Sequence, residues 1–582
     1  MDIAYNSNSN FERPVRIRDA YARLELDTGE LRGKASYDGQ RGGFPLLYDC
    51  EEDWLVVDGN DNHTLVFGAS GSKKTRTMVL PSIHVLAEAK ESMIIHDAKG
   101  ELYNRTAQML KERGYRVVCI NLRDPSIGNS WNPLSICYDY YKQGDIDRAA
   151  EFANDVACTL MQEDHSNDPF WRNSASDCMY GLILLLMRYC REYNKSDSAV
   201  NMANLTALRR ELFKQKRGPF SGPESTWLWK WGSQDELIAA ALSGTVTTAA
   251  ETMQGILSTL DNKLRTFTIQ PALLDMLSNN SIDIESIGKE KTAVFLITAD
   301  EKASAYRSLV ALFVSQSYQQ LIYAAGKSGG RVVRRVNYIL DEFSSLPAIG
   351  QDSFPSMITA ARSRNIRFLI VAQSKHQLKS KYGPEADTIM ANCTNWVIMF
   401  TRELELLREV SELCGEKDGK PNISVFDLQH FSKEKNEVLL MAGRMKPAVV
   451  QLLDIGRLDH MDRKDGIKRI NIETPKRMPR ERLDFSVDPN APLENKAEEH
   501  EMWPGVSLFR ESEQDKQKTG DRDLFDKPFS VDDLVKKIDQ KISELEEEER
   551  REKKKLVDDN SEKSELSMEE QIRRGSDETR FL

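Results

Sequence analysis

The stretch Thr64-Leu-Val-Phe-Gly-Ala-Ser-Gly-Ser-Lys-Lys-Thr75 decides the fold. A short apolar run, the length of a buried strand, enters a Gly/Ser loop, and a helix-like segment begins at Lys74. A Walker A phosphate loop reads G-x-x-x-x-G-K-[ST] on that strand–loop–helix frame. Gly68 fits the first glycine, Lys74 the lysine that reaches the β/γ-phosphates, and Thr75 the hydroxyl that ligates Mg²⁺. Ala69, Ser70, Gly71 and Ser72 supply the loop amides which, with the helix N-terminus, give a fixed positive potential for phosphate. The second glycine is missing, and Lys73 stands in its place. A side chain there adds bulk and restricts φ/ψ where backbone must lie against phosphate, while its charge helps to hold an anion. Phosphate binding is expected, and hydrolysis is put in question. Taken alone, the stretch also reads as an ordinary Gly/Ser turn.

Working outward, Val336-Asn-Tyr-Ile-Leu-Asp341-Glu342 is an apolar strand ending in two carboxylates, the Walker B form. Asp341 is expected to hold Mg²⁺ through water and Glu342 to polarise the attacking water. Ile366-Arg-Phe-Leu-Ile-Val371 runs into Ala372-Gln373-Ser374. A glutamine at that strand tip senses the γ-phosphate or orients water, with a plain polar strand end as the alternative. Gly326-Lys-Ser328 looks like part of a phosphate loop but lacks the upstream strand and glycine, so it is read as a loop after a long helix.

Further strands are expected at Ser92–Asp97, Arg116–Asn121, Thr292–Thr298 and Trp396–Phe400, with a closing hairpin from Val438–Met441 and Ala448–Leu453. Unbroken apolar strands alternating with helices indicate a parallel sheet covered on both faces. Asp168–Arg191, Leu205–Lys216 and Asp235–Asp261 carry helical periodicity instead. The expected organisation is a turn-rich N-terminal segment (1–60), a nucleotide-binding domain in two parts (61–135 and 281–470), an all-α insertion (136–280) and a charged tail (471–582). The tail is poor in aromatics and predicted disordered, except for a short amphipathic helix near 530–548.

The 582 residues carry a net charge of −11, which argues against a nucleic-acid binder until it is divided along the chain. From Asn471 onward there are 31 acidic and 22 basic residues, so −9 belongs to the tail and −2 to the body. The eight cysteines are scattered among apolar neighbours without a C-x-x-C pair, as in a reducing compartment, and no His/Cys cluster has metal-ligand spacing. No signal peptide or membrane-spanning run is found, which predicts a cytoplasmic chain, at most peripheral to a membrane.

The motif set resembles the type IV secretion coupling proteins, the TraG/TraD-type ATPases of conjugative DNA transfer, over about residues 60–455. The resemblance rests on Asp97-Ala-Lys-Gly-Glu-Leu-Tyr103, Trp131-Asn-Pro-Leu134, Asp168-Pro-Phe-Trp171 with Ala175, Asp341-Glu-Phe343, Arg362-Ser-Arg364-Asn-Ile, and Gln373-Ser374 followed by Tyr382-Gly383. It implies an α/β, RecA-like P-loop NTPase domain with an all-α insertion, using ATP and Mg²⁺. It also implies a homo-hexameric ring at the inner face of the membrane that receives relaxase and single-stranded DNA and passes them to the secretion channel. By motif position Lys74, Thr75, Asp341, Glu342 and Gln373 carry over as the nucleotide site. Arg362 and Arg364 are candidates for an arginine that meets the neighbouring subunit's γ-phosphate, or are a basic surface turn. The family's usual N-terminal membrane anchor is absent, so membrane association is expected through partner proteins.

Sequence-independent DNA contact needs cations facing the backbone. Arg209, Arg210, Lys214, Lys216 and Arg217 in the insertion, and Arg331, Arg334 and Arg335, are candidates against a reading as solvated surface charge. Trp227, Trp229 and Trp231 around Lys230 form either a stacking platform or a locally packed cluster. Two other functions compete: a catalytically weakened nucleotide-binding adaptor for secretion cargo, and a related ring-shaped DNA translocase.

Overall fold

The structure, a computed structural model, describes residues 12–27, 30–32, 42–162, 169–214, 222–298, 303–350, 354–458 and 471–490. The expected helix near 530–548 lies outside the described residues, as do Asp168, Lys216 and Arg217.

The first elements form a small antiparallel sheet: β1 (Ala22–Asp27), β2 (Glu30–Arg32), β3 (Phe44–Asp49) and β4 (Trp54–Asp58), in the order β2-β1-β4-β3. Then come β5 (Thr64–Phe67), β6 (Ser92–Asp97), β7 (Arg116–Asn121), β8 (Thr292–Ile297), β9 (Val336–Leu340), β10 (Ile366–Ala372) and β11 (Asn395–Ile398). A two-residue ribbon, β12 (Glu416–Lys417) and β13 (Lys420–Pro421), precedes the hairpin β14 (Glu437–Ala442) and β15 (Ala448–Gln451). The main sheet is nine-stranded, ordered β15-β14-β11-β5-β10-β9-β6-β8-β7. From β11 to β7 every neighbouring pair is parallel, and the hairpin adds two antiparallel strands at one edge.

The strands read as continuous apolar runs because both faces are covered, and successive side chains enter two different cores. Leu65, Phe67, Ile94, Tyr338, Leu340, Phe368 and Ile370 join one core. Val66, Met93, Ile95, Ile339, Leu369 and Val371 join the other. The first core continues into the insertion, and the second is closed by the small sheet and the helices Leu80–Glu88 and Glu101–Glu112.

Between β7 and β8 every regular element among the described residues is helical. The chain enters the insertion through Trp131-Asn-Pro-Leu134. Trp131 is buried edge-on against Phe313 at 5.2 Å, and Asn132 Nδ2 donates to the Val200 carbonyl at 2.8 Å. The periodic stretch Asp235–Asp261 is two helices, Glu236–Val246 and Ala250–Thr268, broken where Thr247 and Thr248 crowd the backbone. The Gly326-Lys-Ser328 segment is the end of the helix Ala303–Lys327, which turns out at Gly329 and Gly330, both at positive φ.

Residues 471–490, which composition assigns to the tail, lie as an extended strap on the body. Arg477 donates to the carbonyls of Pro125 and Gly128, Arg480 pairs with Asp275 at 2.6 Å, and Asn204 holds both Glu481 and Leu483 main-chain groups. Phe485 is fully buried beside Tyr189 and Trp227. Local apolar content is too sparse to signal such packing, because the strap borrows its core from distant helices. No described helix is long and apolar enough to cross a membrane.

Candidate nucleotide site

In this sheet β10 lies between β5 and β9, and the three end in register: Ala372 opposite Phe67, Ile370 opposite Leu340. The loop Gly68–Thr75, the pair Asp341–Glu342 and Gln373 therefore emerge together at the carboxyl edge, where ligands bind in open α/β sheets. The join is direct, since Thr75 Oγ1 donates to Asp341 Oδ2 at 3.1 Å across 266 residues of sequence.

The loop is pinned at both sides. Gly68 N–H donates to Ala372 and Ala69 N–H to Phe400 at 2.9 Å. A Cβ at Gly68 would meet Ser72 Oγ at 2.5 Å, which is why this position takes glycine. Lys74 Nζ donates to the Gly68 and Ala69 carbonyls at 2.6 and 2.9 Å, so the ammonium is held inside the loop. Burial lowers its pKa, opposed by the nearby Asp341 and Glu342 carboxylates. The helix then opens with a wide turn in which Leu80 N–H reaches back five residues to Thr75.

Lys73 takes φ +66°, the left-handed conformation that the motif's glycine serves. Its side chain points out of the loop, where Nζ donates to Asn436 Oδ1 at 2.8 Å and lies 3.8 Å from Asp454. Asp454 also pairs with Arg76 at 2.6 Å. Burial alone would raise its pKa, but the Arg76 bond and the two cations hold it low. Asn436 and Asp454 were missed from sequence, being 363 and 381 positions from Lys73, with no local signal.

Asp341 is almost wholly buried, and burial together with adjacent Glu342 pushes its pKa up to about 6, against the pull of Thr75 and Lys74. His96 Nδ1 donates to the Asp341 carbonyl at 2.6 Å. Glu342 sits at φ +55°, and its Oε1 lies 4.0 Å from Lys99 Nζ. A carboxylate and a hydroxyl in contact, both hard oxygen donors, are a donor set that suits Mg²⁺ held partly through water.

Asp97 of the Asp-Ala-Lys-Gly-Glu block has a structural task. Its buried carboxylate accepts the N–H of Tyr103 at 2.8 Å and of Lys99 at 3.4 Å, capping the start of Glu101–Glu112 where Gly100 has no side chain to do so. Burial pushes its pKa up to about 6, against these N–H bonds.

Arg362 and Arg364 are not part of this constellation. They lie in the turn before β10, at its amino end, roughly 20 Å of strand away from Gln373. Arg362 is exposed and reaches Asn62, while Arg364 donates to the Gly330 carbonyl at 3.1 Å. Among the proposed DNA contacts, Arg335 is corrected: it is buried and paired with Asp61 and Glu91. Arg331 pairs with Asp61, Arg334 caps main-chain carbonyls and Arg209 pairs with Asp261, while Arg210 and Lys214 remain on the surface beside Glu211. The tryptophans pack locally. Trp227 donates to the Phe485 carbonyl, and Trp231 is covered by the Arg188 guanidinium at 4.5 Å.

Fold and site together define a RecA-like P-loop nucleotide-binding protein with an all-α insertion. The profile of the family described as type IV secretory system conjugative DNA transfer matches residues 29–444, and the chain belongs to that family. Two solved structures share the fold at a TM-score of 0.51. The unbound monoclinic form of the bacterial conjugative coupling protein TrwBdeltaN70 is 15% identical, covering 81% of this chain and 97% of its own. The plasmid coupling protein TrwB in complex with the non-hydrolysable ATP analogue ADPNP is 14% identical, covering 79% and 98%. No curated protein sequence matches significantly.

Proposed function

We propose that this chain is the coupling ATPase of a conjugative type IV secretion system, binding ATP and Mg²⁺ and driving relaxase-linked single-stranded DNA to the secretion channel. The observation that carries it is the Thr75–Asp341 contact, which brings the hydroxyl of the phosphate loop onto the carboxylate of the second motif. Bound ATP supplies the phosphoryl group for transfer to water. Around it, the loop amides and Lys74 neutralise phosphate charge, Thr75 and Asp341 hold the metal, and Glu342 accepts the proton of the attacking water. Gln373, on the tip of β10, orients that water. A cavity of about 450 Å³ on the loop's outer side, lined in part by Ser70–Lys73, Phe400 and Phe431, offers space for the nucleoside.

The arginines at the amino end of β10 fit a ring in which Arg362 or Arg364 serves a neighbouring subunit, consistent with a homo-hexamer. Association with the inner face of the membrane would come through partner proteins. The adaptor reading rested on Lys73. Because Lys73 already holds the glycine conformation and its side chain leaves the loop clear, the motor reading is favoured.

The test is ATP hydrolysis by the purified chain with and without single-stranded DNA. DNA-stimulated turnover that Lys74→Ala abolishes is expected. Absence of turnover in both conditions, unchanged by Lys74→Ala, refutes the motor.

A further inference from the structure

Behind Glu342 and Gln373 lies a cavity of about 410 Å³ that no residue of the phosphate loop lines. Its other walls come from separate elements: Arg172 of the helix Pro169–Glu192, Arg307 of Ala303–Lys327, Lys381 of Lys375–Tyr382, and Ser344 of the turn after β9. Three cations thus face one chamber, and Glu342 is the single carboxylate among its described lining residues.

Lys381 is bound to the Leu346 carbonyl, but neither guanidinium group is consumed by an ion pair among the described residues. Arg172 donates to the side chain of adjacent Asn173 at 3.3 Å, and Arg307, half-buried, has no hydrogen bond or ion pair among the described residues. Ser344 is only 7% exposed, yet its hydroxyl has no hydrogen-bond partner, and neither has the buried Oε1 of Gln162 on the same wall. Buried polar atoms are normally satisfied, so unpartnered ones beside unpaired guanidinium groups point to a polar ligand, and the charge specifies an anion. The volume is within the range of small-ligand sites and fits one backbone unit of a nucleic acid.

We propose that this cavity takes a phosphodiester group of a bound single strand, held by Arg172, Arg307 and Ser344, and that its occupancy positions Glu342 for hydrolysis. The inference rests on the reading of the chain as a DNA-driven ATPase. The coupling is electrostatic. A phosphodiester in the chamber engages the guanidinium groups and repels the Glu342 carboxylate toward Lys99, whose Nζ is 4.0 Å away. Lys99 follows β6, the neighbour of β9, and its charge is also felt at Lys74. DNA in the chamber thereby fixes the carboxylate against Lys99, in one position beside Asp341.

The experiment uses the full chain, fluorescein-labelled oligo(dT), inorganic phosphate, and the double variant Arg172→Gln/Arg307→Gln. Anisotropy should show oligo(dT) binding at least roughly tenfold weaker than wild type. The slope of log affinity against log salt should be shallower by about 0.7, the term for one lost phosphate contact on a single strand. The ratio of DNA-stimulated to unstimulated hydrolysis should fall toward one. Ser344→Ala guards against misfolding of the double variant: it should raise the thermal midpoint of the DNA-free protein while weakening oligo(dT) binding. Stimulated wild type with variants that bind and respond equally overturns this inference alone. Wild type with no response to oligo(dT) overturns the DNA-driven reading as well. Variants that bind oligo(dT) normally but escape inhibition by inorganic phosphate, at matched ionic strength, assign the chamber to free phosphate and refute the proposal.

Discussion

Replacing Lys73 by glycine restores the consensus of the phosphate loop, and the structure predicts that little is gained. Relief of the left-handed strain favours the variant by roughly 1–2 kcal/mol. The added freedom of glycine in the unfolded chain offsets roughly 0.5–1 kcal/mol of that. The variant also loses the 2.8 Å bond to Asn436 and the 3.8 Å approach to Asp454. Side chains 26% and 22% exposed make that ion pair worth under about 1 kcal/mol, and the charge-assisted hydrogen bond adds about 1.5 kcal/mol. Stability should therefore fall by roughly 1 kcal/mol, and by no more than about 2.5 kcal/mol, in urea unfolding. Because the loop backbone already follows the glycine path, the hydrolysis rate should change by less than about threefold, under roughly 0.7 kcal/mol of barrier. Lys73→Ala is the informative companion. It keeps the positive φ and loses the tether, so it should be less stable than wild type by roughly 1–2 kcal/mol. A tenfold or greater rise in turnover for Lys73→Gly would show that the lysine natively weakens the site and would refute this account.

Three further outcomes follow from the same structure. Asp155 is half-buried and accepts from Ser315 Oγ at 2.9 Å, and desolvation raises its pKa from 3.8 to about 6. The folded state binds that proton more tightly than the unfolded one, so its contribution is favourable at low pH and is lost as pH rises from about 4 to about 6. The total is about 3 kcal/mol, roughly half of it falling between pH 5 and 8. Asp155→Asn should remove that fraction of the pH dependence in urea unfolding, and an unchanged slope would contradict it. Phe485→Ala should cost about 3–5 kcal/mol by emptying its slot beside Tyr189 and Trp227. Correspondingly, a chain ending at 490 should melt several degrees above one ending at 470, and equal midpoints would deny the strap a structural role. Arg362→Ala should lose hydrolysis as a pure sample yet regain part of it when mixed with Lys74→Ala, as a trans-acting arginine requires. No recovery on mixing would assign it elsewhere.

The nucleotide half of the molecule was legible because its chemistry is written locally. Phosphate loops and strand-end carboxylates are short motifs on unbroken apolar strands, and those strands are apolar throughout because two cores flank the sheet. The N-terminal sheet was read as turns, although Ala22-Arg-Leu-Glu-Leu-Asp27 alternates as a strand with one buried face should. Its short antiparallel strands depend on partners that are not neighbours in sequence, as β1 pairs with β4. The tether of Lys73 was illegible for the same reason, since it spans most of the chain. Arg335 failed as a DNA contact because a basic triplet does not say which member turns inward.

That inward arginine belongs to a network that explains how the site is aligned. At the amino edge, fully buried Arg367 of β10 pairs with Glu91 at 2.8 Å and donates to Asn337 of β9, and Asn337 in turn donates to Glu91. Arg367 also caps the carbonyls of Gly42, Asp58 and Asn60, and Arg335 pairs with the same Glu91. Buried charges are costly unless every donor is met, so only one register of β6, β9 and β10 satisfies this set. A slip of one residue would turn every β10 side chain to the opposite core and carry Gln373 out of line with Glu342. Apolar side chains alone tolerate such slips poorly but do not forbid them. A charged clasp at one end of the strands fixes the position of uncharged strands between it and the catalytic edge. The precision needed where Thr75 meets Asp341 is therefore set in part by residues at the opposite edge of the sheet, which make no contact with the nucleotide site.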